Sequence, residues 1–338
     1  MVGRCRGLVA RLNANFAPMI RTVLFGTPDF AVTCLKALIE APEVEVCAVV
    51  TAPDRPSGRG LVLQPSPVAR CAMDHGLPIL KPERLRDEQF LAELRSYEAD
   101  VFTVVAFRML PEVVWAMPRL GSLNIHGSLL PDLRGAAPIQ WSLAYGDSAT
   151  GLTAFSLNAH IDEGPLLAQH SMAIGPNETF GELYPRMADQ GARLAVHVLG
   201  ELASGTTSSI PQDDDDSVRL APKLGPDFAQ LELLDSAISI HNRIRACDPI
   251  PGASLPNPER LGERFKLFQS EYVAAVAVPT PTVVSYRIEN EGVTLFDSHG
   301  TLRIHEVQWP GKRRMPVADF LRGTRIRGHF TLSGQKID

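Results

Sequence analysis

Up to about residue 203 the chain alternates short apolar runs with helical patterns, and this alternation constrains the fold more than any other feature. "RTVLFGTPDF" is a β-branched and aromatic run ending in Gly26, followed by apolar residues at helical spacing through Leu35, Leu38 and Ile39. "VEVCAVVT" is too continuous for a sheet with one wet face, so it reads as a strand buried on both sides. "LPIL", "DVFTVVAF" and "GSLNIH" follow as further strands, with helical segments between them such as "DEQFLAELRSY". "AAPIQWSLAYG" is helical, and "TGLTAFSL" and "GPLLAQHSMAI" are two later strands. Strands interleaved with helices of this length predict an α/β, doubly wound parallel sheet. Right-handed crossovers then bring the strand ends to one edge, where such sheets bind ligands.

A long helix with a Leu/Ala/Val stripe, from Thr179 to about Ala203, closes this first domain, which spans residues 21–203. Residues 204–224 are polar and turn-rich and carry the acidic run 213–216, the composition of an interdomain linker. Residues 225–338 open with the helix "LDSAISIHNRIRA" and continue in short alternating runs punctuated by Gly and Pro, which predicts a small second β-barrel domain. Residues 1–20 hold three arginines and no acid. That composition suits either an over-long start, with Met19 directly before the first strand, or an organellar transit peptide; we take the former, and a cytoplasmic protein, as the expectation.

The five cysteines are scattered, with no C-x-x-C pair, so a reducing compartment is expected and a structural zinc site is not. No apolar run approaches the ~20 residues that a membrane helix needs. The formal net charge is −5, but from Thr301 onward eight basic residues face three acidic ones. An otherwise acidic chain with a basic end is compatible with a polyanionic partner without requiring one.

Chemistry concentrates in "LNIHGSLLPDLRGAAPIQWSL". Asn124 and His126 are two apart on a strand, so their side chains share one face at the strand end. Gly127 and Ser128 let the chain turn close to a ligand, and Arg134 can fork onto a carboxylate or phosphate. Further on, "HIDEGPLLAQ" sets Asp162 in a turn between two strands. An amide that donates to an oxyanion, an imidazole that moves protons and a carboxylate that orients it suit acyl transfer. The G-x-S-x-G elbow is absent and no cysteine is near, so direct transfer to a nucleophile is expected rather than a covalent enzyme intermediate. The lone glycine of "LFGTPDF" is not a G-x-G-x-x-G fingerprint, and a nicotinamide cofactor is not expected.

Taken in order, "GTPDF", "PDRPSGRG", "LNIHGSLLPDLRGAAPIQWSL", "IDEGPLLAQ" and "QWPGKRRMPVADFLRG" resemble the folate-dependent formyltransferase family from about Arg21 to Leu332. The resemblance implies a Rossmann-like, mostly parallel N-terminal domain, a smaller OB-like β-barrel domain and no metal. It implies 10-formyltetrahydrofolate as formyl donor and the amine of initiator methionyl-tRNA as acceptor, in support of translation initiation, by a monomer. Asn124, His126 and Asp162 would be catalytic. Ser128, Leu129, Leu130, Pro131, Arg134 and Gly135, with Arg108 and Leu110 of "AFRMLP", would surround the folate. Arg55 and Arg59, in the loop 53–67, and Lys312, Arg313 and Arg314, with Arg322, Arg325 and Arg327 nearby, would meet tRNA phosphates.

Three departures from the family pattern bear on the acceptor and the donor. Phe107 and Arg108 stand where relatives usually have tyrosine and glycine. Leu61 and Val62 stand where lysines are common. The segment after "PIPG" is longer and richer in proline than usual. Relatives sharing the core formylate amino-sugars or a purine-pathway amine, or hydrolyse formyl-folate, so a sugar-nucleotide N-formyltransferase or a hydrolase is the alternative; a folate- or RNA-binding module with a dead site is the non-enzymatic one.

Overall fold

Strand β1 (Ile20–Gly26) draws its first residue into the core: Ile20 is 1% exposed, so the fold takes in a position expected to belong to the extension. The structure, a computed structural model, describes residues 19–57, 62–213, 217–234, 236–274 and 284–337; Arg59, Leu61 and residues 1–18 of the expected extension lie outside them. After β1 the chain turns sharply at Gly26, where a Cβ would stand 2.5 Å from the Ala31 Cβ, and enters α1 (Asp29–Glu40). It continues through β2 (Val44–Val50), the hairpin β3 (Arg55–Ser57) and β4 (Val62–Gln64), α2 (Pro67–Asp74), β5 (Ile79–Leu80) and α3 (Glu88–Ser96). Then come β6 (Val101–Val105), α4 (Glu112–Trp115), β7 (Ser122–His126), β8 (Arg134–Gly135), α5 (Pro138–Tyr145), β9 (Ala149–Ser156), β10 (Leu166–Ala173) and α6 (Phe180–Ser204).

The main sheet has the order β10-β9-β7-β6-β1-β2-β5. β5, β2, β1, β6 and β7 run parallel, and β9 and β10 are antiparallel additions at one edge. Helices cover both faces, which is why β6 is buried at all five positions. One face packs Leu24, Leu123 and Ile125 against Leu35 and Leu38 of α1 and Leu183 and Leu199 of α6. The other packs Phe25, Phe102 and Val104 against Phe90 and Leu94 of α3 and Val114 of α4. Because side chains alternate along a strand, burial of Leu123 and Ile125 on the first face sends Asn124 and His126 to the second.

Described positions within residues 204–224 are paired with the first sheet and its loops. β11 (Leu220–Ala221) pairs in parallel with β8, and Ile210 exchanges main-chain hydrogen bonds with Leu166 at 2.7 and 2.9 Å. Beyond it α7 (Ala237–Cys247) leads into β12 (Ala253–Pro256), β13 (Arg264–Ala274), β14 (Ser285–Ile288), β15 (Val293–Phe296), β16 (Gly300–Gln308), β17 (Met315–Pro316), α8 (Val317–Gly323), β18 (Gly328–Thr331) and β19 (Lys336–Ile337). These strands form an antiparallel sheet ordered β12-β13-β16-β15-β14-β18-β19, with β17 on β16. The sheet curls as a half-barrel around Phe265, Tyr286 and Leu295; among the described residues its two edge strands do not pair with each other. Ile240 and Ile244 of α7 belong to the same continuous core as Leu143 of α5, so apolar packing passes from the first unit into the second. Polar contacts lock that junction. His241 donates from Nε2 to Pro176 O at 3.0 Å and accepts from Ser270 Oγ at 2.8 Å.

Candidate active site

β7 delivers Asn124, opposite Val104 and Phe155, and His126, opposite Thr153, to the carboxyl edge of the sheet. The Asn124 side chain is half-buried and makes no hydrogen bond with other described residues, so its amide stays available to a ligand. His126 is only 6% exposed and sets its ring edge-on to Phe155. Its Nε2 lies 3.0 Å from Leu133 O. A carbonyl only accepts, so Nε2 carries the hydrogen and Nδ1 is the nitrogen left for other chemistry.

Asp162 comes from the β9–β10 turn with φ 57°, an uncommon left-handed conformation for a residue with a side chain. Its Oδ2 lies 3.7 Å from His126 Nδ1 and accepts the Gly135 main-chain N–H at 2.9 Å. The carboxylate is thus anchored to the loop after β7 and held beside the imidazole at ion-pair range. Asn124, His126 and Asp162, named from the sequence, are brought to one edge.

The loop itself is held from below by residues that the sequence reading passed over. Thr153 Oγ1 donates to Ser128 O at 2.7 Å and accepts from Leu130 N at 3.0 Å. Gln169 Nε2 donates to Leu130 O at 2.8 Å. Ser128, 1% exposed, donates to Asp132 O at 2.6 Å, and Leu130 is 3% exposed. Leu129 packs over Gly151, and Leu110 lies in the second core. These side chains, expected around the folate, face the protein; Pro131 is half-buried in the same loop. A polar residue inside an apolar strand, such as Thr153 in "TGLTAFSL", was the available signal.

The guanidinium of Arg134 is engaged from within. Its Nε and Nη2 donate to Gln212 Oε1 at 3.1 and 2.8 Å, with Nη1 3.7 Å from Glu163. Arg219 spans Asp132 and Asp147, with Nη2–Oδ2 and Nη1–Oδ1 at 2.5 and 2.8 Å, and sits over the Tyr145 ring at 4.8 Å. Arg108 is exposed and donates to Glu83 O at 3.0 Å and Pro82 O at 2.5 Å. By contrast, no main-chain hydrogen bond engages residues 107–110 among the described residues, although this segment follows β6 directly and borders the end of β7.

Of the basic residues expected to face phosphates, Arg55 is exposed on β3, and Lys312 and Arg313 are exposed in the turn between β16 and β17. Arg314 is turned inward. It holds Asp248 through two bonds at 2.6 and 3.1 Å, also bonds Glu306, and lies over the Phe268 ring at 4.2 Å. Burial pushes the thiols of Cys34 and Cys247 up to about 12, so both stay protonated and unreactive.

Two family models match the chain whose doubly wound sheet brings this amide, imidazole and carboxylate to one edge. The formyl transferase model matches residues 20–199 and the formyl transferase C-terminal domain model matches residues 223–325. The chain belongs to the formyl transferase family and, within it, groups with the methionyl-tRNA formyltransferases. The methionyl-tRNA formyltransferase of Porphyromonas gingivalis W83 is 41% identical over 309 residues, covering 90% of this chain and 95% of its own. That of Alcanivorax borkumensis is 40% identical over 305 residues, covering 90% and 91%. Among solved structures, HypX from Aquifex aeolicus in complex with tetrahydrofolic acid shares the fold at a TM-score of 0.58 and 18% identity; the match takes in 90% of this chain and 47% of that longer one. WlaRD, a sugar 3N-formyl transferase, matches with a TM-score of 0.58 at 17% identity over 87% of this chain and 99% of its own. Among the described residues no helix is long and apolar enough to cross a membrane.

Proposed function

We propose that this enzyme transfers the formyl group of 10-formyltetrahydrofolate to the α-amine of methionine esterified to initiator tRNA, by direct attack and in the cytoplasm. The observation that carries the reading is the convergence of Asn124, His126 and Asp162, with Asp162 Oδ2 at 3.7 Å from His126 Nδ1. The amine attacks the formyl carbon, and negative charge develops on the formyl oxygen. The unengaged Asn124 amide donates to that oxygen, an effect of ~10²–10³ in rate for one such donor. With Nε2–H committed to Leu133 O, His126 works through Nδ1: it takes the proton of the attacking amine and gives it to N10 as the intermediate collapses, the formyl C–N10 bond breaks and tetrahydrofolate leaves. Asp162 orients the imidazole and steers the amine proton toward it, general acid–base help of ~10²–10⁴.

Residues 107–110 fit the donor. Their main-chain donors and acceptors are unpaired beyond the carboxyl end of β6, the strand beside β7, which suits a flat heterocycle rich in hydrogen-bonding groups. In this reading the inward-facing side chains of Ser128, Leu129, Leu130 and Leu110 back the pocket from the core, Arg134 and Gly135 hold the catalytic loop, and Arg108 caps the carbonyls of Pro82 and Glu83. Arg55, Lys312 and Arg313 meet tRNA phosphates, Arg59 joins them from outside the described residues, and Arg314 maintains the second domain. The test is single-turnover formyl transfer from 10-formyltetrahydrofolate to methionyl-initiator tRNA, with free methionine and an amino-sugar nucleotide alongside. Transfer to the charged tRNA alone supports the reading; transfer to the sugar, or release of formate, replaces the acceptor and keeps the core.

A further inference from the structure

We propose that Gln212, on the segment joining the two domains, is a positioning residue for the Asp162 carboxylate. The inference rests on the catalytic role proposed for Asp162 above. Both ends of the Gln212 amide are used: Oε1 accepts Nε and Nη2 of Arg134 at 3.1 and 2.8 Å, and Nε2 donates to Asp162 O and Gly164 O, each at 2.8 Å. One side chain therefore ties the catalytic loop to the turn that carries the carboxylate.

That turn needs a tie. Asp162 sits at φ 57°, a conformation that a non-glycine residue keeps only where its surroundings hold it. Two carbonyls, two residues apart, converge on one NH₂ group and close the turn around it. The direction of the carboxylate, and so its 3.7 Å approach to His126 Nδ1, follows from this backbone geometry.

Gln212 is itself fixed in place. On one side Ile210 is bonded to Leu166 in both directions. On the other, Arg219 O accepts from Leu133 N at 2.7 Å, the Arg219 side chain grips Asp132, and β11 pairs with β8. A glutamate at 212 would keep the bond to Arg134 but set an oxygen against two carbonyls; a leucine would lose both sets. Only an amide satisfies donor and acceptor together.

The experiment is a double-mutant cycle on single-turnover formyl transfer from 10-formyltetrahydrofolate to methionyl-initiator tRNA, with wild type, Gln212→Leu, Gln212→Glu, Asp162→Asn and the two double variants. Each single change at 212 is expected to lower the rate about 10- to 100-fold, the cost of misplacing a catalytic group by about an ångström, with both substrate KM values within about twofold. In the Asp162→Asn background the same changes are expected to cost less than about twofold, because their effect passes through the carboxylate. Equal losses in both backgrounds mean a merely structural residue and overturn the proposal, as does a wild-type rate for either single variant. If Asp162→Asn alone keeps transfer within about tenfold of wild type, the catalytic reading of Asp162 falls and takes this inference with it. Circular dichroism melts separate a misfolded variant from a misplaced carboxylate, and Gln212→Glu, the smaller change, decides if Gln212→Leu melts early.

Discussion

Asp162 Oδ2 lies 3.7 Å from His126 Nδ1 while it accepts the main-chain N–H of Gly135 at 2.9 Å. The carboxylate is thus bound to the loop and faces the imidazole across a gap longer than a hydrogen bond. Replacing it with an amide keeps the size and removes the charge. Asp162→Asn is therefore expected to lower formyl transfer by ~10²–10⁴ while leaving folate binding nearly intact. A single-turnover rate within about tenfold of wild type would rule out the role given to Asp162.

Gly135 has φ 129°, and a Cβ there would stand 2.4 Å from Ala221 O. Gly135→Ala must push β11 away or twist the loop, at a cost of about 1–3 kcal/mol for a strained backbone position. The thermal midpoint should drop by several degrees and transfer should fall with it, because the Gly135 N–H also holds Asp162. A variant with the wild-type melting curve would show that β8 and β11 need not lie so close.

Lys312 and Arg313 are exposed where Arg314 is tied to Asp248 and Glu306. Lys312→Ala and Arg313→Ala should each raise the tRNA KM, leave the folate KM unchanged and reduce the salt slope of tRNA binding by about one. Arg314→Ala should act differently. It leaves Asp248, 5% exposed at its side chain, without its cation and with only the Gln269 N–H, and should lower stability by about 3 kcal/mol, read by urea unfolding, without its own change in salt slope. The reverse pattern would mean that the three residues have been assigned the wrong way round.

Burial lowers the His241 pKa from 6.5 to about 4, with the neighbouring Arg245 charge acting in the same direction and the bond to Pro176 O opposing them. Between those values the unfolded chain binds the proton and the folded chain does not. Stability is then fully present above about pH 6.5 and is lost as the pH falls toward 4, by on the order of 3 kcal/mol. Urea unfolding from pH 7 to 4 should show this slope, and His241→Gln, though less stable at pH 7, should flatten it. An equally steep slope in the variant would assign the acid sensitivity to other groups.

Much of the fold and half of the site are legible in local patterns. Continuous apolar runs mark β1, β2 and β6 as strands buried on both faces, and the helical spacing of α1, α3 and α6 sets them between or beside those strands. The strand period of two puts Asn124 and His126 on one face as soon as Leu123 and Ile125 are recognised as core. β3, β4, β8 and β11 escaped this reading because two or three residues carry no period, and the pairing of β8 with β11 joins segments far apart in the chain.

Local pattern alone places Asn124 and His126 on one face of β7, because alternation and helical spacing are properties of neighbouring residues. Which partners engage the other polar groups follows from packing. Arg134, which pattern alone offers to a ligand, is occupied by Gln212, 78 positions away. Arg314 is one of three similar cations until Asp248, 66 positions back, claims it. Gln212, Arg219 and β11 lie in a stretch of linker-like composition and yet hold the loop after β7. A hydrogen bond or ion pair is set by distance and direction in space, and these are defined only once the sheet, its loops and the second domain have packed together.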